Sequence, residues 1–142
     1  MQKNNLTIKT AFSDFQNLKN IHEAFIKEIR GQEEDRKTLS SLKVVNQILC
    51  VTFLELEFHA VRRTVASDFR LIANEYAFVG SIDSQEHVLF YLYLTPDGGL
   101  YLNSSLDSDS RLCDFNNMFV VSNILERIQI AALSSPFFVP HG

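Results

Sequence analysis

Three polar side chains share one parity in the middle of the chain. Glu55, Glu57 and His59 alternate with Leu54, Leu56, Phe58 and Ala60. On an extended strand, alternate residues project from the same face, so these carboxylates and the imidazole stand together. Carboxylates beside an imidazole are the groups used for proton transfer or for holding a metal. A metal site needs a further ligand. His87 has the right chemistry, but a simple meander puts another strand between it and His59. The plainer reading is that Glu55, Glu57 and His59 form the polar half of an alternating strand.

A second group is aromatic. Thr95-Pro96-Asp97-Gly98 is a strong hairpin signal, with Pro and Asp at the central positions of a type I turn and Gly at the left-handed position after it. That turn sets Leu94 opposite Leu100, Tyr93 opposite Tyr101, and Leu92 opposite Leu102. Phe90, Leu92, Leu94, Leu100 and Leu102 then line one face, which is the core. The other face carries Leu89, Tyr91, Tyr93 and Tyr101, and parity lets Tyr76 and Phe78 of the preceding strand join them. An aromatic second face has three explanations: cover by the protein's own helices, contact with a partner or a second copy, or a ligand pocket.

Other motifs dissolve on inspection. Asp107-Ser108-Asp109 begins like a calcium loop, but the fifth, sixth and twelfth positions are Arg111, Leu112 and Met118. Arg62-Arg63 is too short for a phosphate site. Gly98-Gly99 belongs to the hairpin, since no helix begins after it. Cys50 and Cys113 fit neither a metal spacing nor a redox pair, and acidic neighbours disfavour a Cys113 thiolate. There is no nucleophile elbow, P-loop or dinucleotide fingerprint. No cofactor or metal is expected.

The elements that position these groups follow from periodicity. Ser13-Asp14-Phe15-Gln16 reads as a capping box opening a helix over 14–30, with Phe15, Leu18, Ile21, Phe25 and Ile29 inward. Leu39, Leu42, Val45, Ile48 and Leu49 fit a second helix over 36–49. Strands are expected from about 52, over 69–79, over 87–95 and over 100–106. A last amphipathic helix runs over 116–133, with Asp114 or Asn116 as its cap. The apolar tail, Phe137-Phe138-Val139, should pack back on the domain. The expected fold is α+β, a four-stranded antiparallel meander with two N-terminal helices and one C-terminal helix, in one domain over 1–142.

The composition is that of a globular chain, at 46% hydrophobic and 21% charged residues over 142 positions. The formal charge of −4 gathers towards the C-terminal end, with no basic face for nucleic acid. No apolar run has the length of a membrane span and the N-terminus has no secretory pattern, so a cytoplasmic location is expected. The expected role is non-catalytic: a small adaptor or neutralising domain binding a protein partner or itself as a homodimer. The acidic half would favour a basic partner. The alternative is a ligand-binding domain or enzyme, its pocket lined by Tyr76, Tyr91, Tyr93 and Tyr101 with Glu57 and His59 as polar groups.

Overall fold

A computed structural model describes residues 2–33 and 40–141, with side chains from residue 8 onward. The element order is α1 (Gln2–Gln32), β1 (Ser40–Val45), β2 (Ile48–Phe53), β3 (Leu56–Ser67), β4 (Arg70–Ile82), β5 (Gln85–Leu94), β6 (Gly99–Tyr101), β7 (Arg111–Asp114) and α2 (Val120–Leu133). The strands form one antiparallel sheet in sequence order, curled into a half-barrel. Among the described residues the architecture is α+β, but the sheet has seven strands rather than four, with one N-terminal helix rather than two.

The expected second helix is a hairpin. Over its described part, 40–49, the chain forms β1, a turn and the start of β2; residues 36–39 lie outside the described part. Leu42, Val45, Ile48 and Leu49 fit a helical stripe, but they also fit alternation on either side of a two-residue turn. The β-branched Val44, Val45, Ile48 and Val51 decide for the strand. Leu42, Leu49 and Val51 are buried on one face.

The same device explains the other missed boundaries. Four hairpins turn on two residues with both φ positive: Asn46-Gln47, Leu54-Glu55, Asp68-Phe69 and Asp83-Ser84. These are the backbone signs of type I′ turns, whose sequence signal is normally Asn-Gly or Asp-Gly. None of the four contains glycine, so the strand expected from about 52 is in fact the end of β2, a turn and β3. Leu54 and Glu55 hold φ of 48° and 71°. Left-handed backbone costs an L-residue about 1–2 kcal/mol, partly offset in glycine by its greater unfolded entropy. Glu55→Gly should therefore stabilise the fold by about 0.5–1 kcal/mol, read as a higher urea midpoint at unchanged slope.

The hairpin at Pro96 is as read. The Gly98 N–H donates to Thr95 O at 2.9 Å, and the Thr95 N–H donates to Gly99 O at 3.0 Å. Gly98 has φ 92°, and Tyr93 pairs with Tyr101 and Leu94 with Leu100. Beyond Tyr101 the expected strand to 106 breaks off. Its place is taken by a loop, a 3-10 turn at Ser108–Ser110 capped by Asp107, and β7.

Both helices pack on one face of the sheet. Leu18, Phe25, Ile26 and Ile29 of α1 and Val120, Ile124, Ile128 and Ala132 of α2 are buried. All but Leu18 and Ala132 join a cluster with Phe58, Ala60, Tyr76, Phe78, Leu92, Leu94 and Leu100. The tail closes the end of this core. Phe137 stacks edge-on to Phe58 at 5.0 Å, and Phe138 meets Phe53 at 6.2 Å.

No helix starts at Ser13. No breaker precedes it, and α1 runs through from Gln2. Asp14 instead faces the sheet, where its carboxylate accepts from Arg70 Nε and Nη2, each at 2.8 Å, and from the Leu71 N–H at 3.1 Å. One turn on, Asn74 Nδ2 donates to Leu18 O at 2.9 Å, and Asn74 Oδ1 accepts from Arg62 Nη1 at 3.2 Å. A further turn on, the Tyr76 hydroxyl and His22 Nδ1 are hydrogen-bonded at 2.7 Å. Residues 14, 18 and 22 thus form a polar ladder that fixes the helix on β4. At the other helix, α2 begins at Val120, and its first turn has no side-chain cap. Asp114 pairs with Arg111 instead.

Candidate functional site

The face of the sheet turned away from the helices can be read row by row, because paired residues in an antiparallel ladder share a face. The first row runs Arg63–Glu75–Tyr93–Tyr101–Arg111 from β3 to β7. The second runs Val61–Ala77–Tyr91, and the third Lys43–Cys50–His59–Val79–Val88. Ile48 lies two residues beyond Cys50 on the same side, beside its partner Val45.

The first row is an interlocked polar border. Arg63 Nη2 donates to Glu75 Oε1 at 2.9 Å, and the Tyr93 hydroxyl donates to Glu75 Oε2 at 3.1 Å. Arg111 donates to the Tyr101 hydroxyl at 3.1 Å, its guanidinium 5.6 Å from the ring centre. The Tyr101 ring lies across Gly99, where a Cβ would come within 2.8 Å of it. Burial and the neighbouring Glu75 push the Tyr93 hydroxyl up to about 12. Tyr93 and Tyr101 are thereby largely buried, while Tyr91, stacked on Tyr93 at 6.4 Å, stays open.

The second row and its neighbours are apolar, and around the buried Ala77 they are exposed. Val45, Ile48, Val61, Val88 and Tyr91 range from 40% (Tyr91) to 53% (Val45) exposed. The buried core cluster that the helices join includes none of these residues.

Glu57 and His59 border an open trough of about 690 Å³ on this face, with Lys43, Cys50, Glu55 and Glu86. Burial, reinforced by Glu57, raises the Cys50 thiol pKa, so the site holds a thiol rather than a nucleophilic thiolate. His87 does not complete a metal site. It pairs with Gly80, on the opposite face from His59, and packs against the Phe137 ring. No group of three or more metal-ligating side chains occurs among the described residues.

The sequence-derived candidates therefore divide. Tyr91, Tyr93, Tyr101, Glu57 and His59 share the outer face. Tyr76 and Phe78 do not: they pair with Leu92 and Phe90 and lie buried under the helices. Leu89 also leaves the aromatic face, because a bulge between Phe78 and Val79 sets it against the core. Sequence reading missed Val61, Ile48, Arg63 and Glu75 as parts of the face. Their signal lies in the register of β2, β3 and β4, which the glycine-free turns conceal.

No protein-family model matches the chain, and neither the curated proteins nor the solved structures yield a significant match. Among the described residues, no helix is long and apolar enough to cross a membrane.

Proposed function

We propose that this chain is a non-catalytic protein-interaction domain, of adaptor or neutralising type, that binds through the outer face of its sheet. One observation carries the reading. An apolar row, exposed at Val45, Ile48, Val61 and Tyr91, is bordered on one side by paired Arg, Tyr and Glu side chains and on the other by Lys43, His59 and Glu57. An apolar centre with a polar rim rich in Tyr and Arg is the anatomy of a protein interface. The free edges of a sheet normally make contacts through the backbone, but here the side chains of Val45, Ile48, Val61, Val88 and Tyr91 are available on one face.

Val61→Glu tests this. Val61 is 43% exposed, so the charge should leave the unfolding temperature nearly unchanged. Capture of any protein by the immobilised chain, a second copy included, should fall at least about tenfold. Unchanged association of every kind would overturn the reading.

The alternative is a small-molecule site in the trough beside Glu57 and His59, favoured by its volume of about 690 Å³. A ligand there would raise the unfolding temperature of the native chain but not of a Glu57→Gln, His59→Ala variant.

A further inference from the structure

We infer that the occupant of the outer face is a second copy of this chain, related by a two-fold axis running along the strands between β3 and β4. This rests on the interaction reading above and names its partner. A two-fold interface must be self-complementary, since the same patch serves both copies. Rotation about this axis exchanges β3 with β4 and β2 with β5, and keeps the strands aligned, as in stacked sheets.

The registered rows satisfy that condition. In the polar row, Arg63 of one copy meets Glu75 of the other, and the reverse. The ion pair within each copy, at 2.9 Å, thus becomes a ring of alternating charges. In the next row Val61 meets Ala77, and Ile48 meets Tyr91. In the third, Cys50 meets Val88 and His59 meets Val79. No like charges oppose one another. An axis across the strands along the Val61–Ala77 row fails the same test, because it lays the Glu75 carboxylate on Val79 and Arg63 on His59. The pattern of charges therefore fits a second copy in this orientation and not in the crossed one.

The test is light scattering on a size-exclusion column over a range of concentrations, with the native chain, Arg63→Glu, Glu75→Arg and an equimolar mixture of the two variants. The native chain should show twice its 16.2 kDa mass. Each variant alone sets four like charges together and should associate at least about tenfold more weakly. The mixture should recover a mixed dimer, which no loss of folding within either variant can mimic. A native chain that stays monomeric, variants that stay dimeric, or a mixture that fails to associate would each overturn the inference. The interaction reading would then stand only if Val61→Glu still abolished capture of a different protein. Where either charge reversal lowers the unfolding temperature, Ile48→Glu mixed with Tyr91→Arg applies the same logic at exposed positions.

Discussion

Phe58→Ala is expected to destabilise the protein by about 3–5 kcal/mol, enough to remove much of the stability of a domain this size. Phe58 is 2% exposed and holds three elements together. Its ring lies over Gly80 of β4 and takes the edge of Phe137 from the tail. The cavity left by alanine would open beneath the tail and beside the core cluster. Gly80 supplies the matching test, since a Cβ there would stand 2.7 Å from the Phe58 ring and 3.0 Å from Phe137. Gly80→Ala should cost about 1–3 kcal/mol in the native background. In a Phe58→Leu background the same change should cost less than half as much, because the smaller side chain makes room. Denaturant unfolding of the two single variants and the double variant measures the coupling. Simple additivity would show that the added methyl meets something other than Phe58.

Acid should weaken the fold before any carboxylate in the ladder is protonated. Burial, with help from the Arg62 charge, lowers the His22 imidazole to about 4 from its ordinary value near 6.5. The neutral ring is hydrogen-bonded to the Tyr76 hydroxyl, whose own ionisation burial pushes well above the ordinary tyrosine range. Between those two pH values the unfolded chain binds a proton at His22 and the folded chain does not. Stability from this group is therefore complete above about pH 6.5 and falls as the pH drops towards 4. Because His22 is only half-buried, solvent screening reduces the loss to about 1–2 kcal/mol. Below that window Asp14 takes over, its carboxyl held low by the Arg70 hydrogen bonds, and its contribution fades as it is protonated. Unfolding followed from pH 8 to 4 should show a slope in the native chain that a His22→Phe variant lacks. An identical slope in both would mean that His22 titrates normally in the folded state.

Local chemistry made part of the architecture legible. The stripe from Leu18 to Ile29 required an amphipathic helix, and Ile124 and Ile128 required another. Pro96-Asp97-Gly98 fixed a turn and thereby the pairing of Tyr93 with Tyr101, two of the residues on the candidate face. Alternation from Leu56 to Ala60 placed Glu57 and His59 opposite Phe58. The apolar tail could only be stable against the domain, and Phe137 and Phe138 lie there.

What escaped the sequence was decided at longer range. The four two-residue turns lack glycine, so nothing local marks them; the hairpins form because strand pairing outweighs the cost of left-handed backbone at residues such as Leu54. Leu42 to Leu49 suits either a helix or a hairpin, and burial of Leu42, Leu49 and Val51 on a common face settles it. Parity alone put Tyr76 and Phe78 with the other aromatics, but pairing with Leu92 and Phe90 turns them inward, and the bulge after Phe78 moves Leu89 with them. Asp14 reads locally as a first-turn acid, yet Arg70, 56 residues away, makes it a bridge to the sheet. Sequence by itself determined which stretches bury a face, because periodicity is a property of neighbours. Only the tertiary structure determined which faces meet and which one is left open, because register and bulges are set by pairing between residues far apart in the chain.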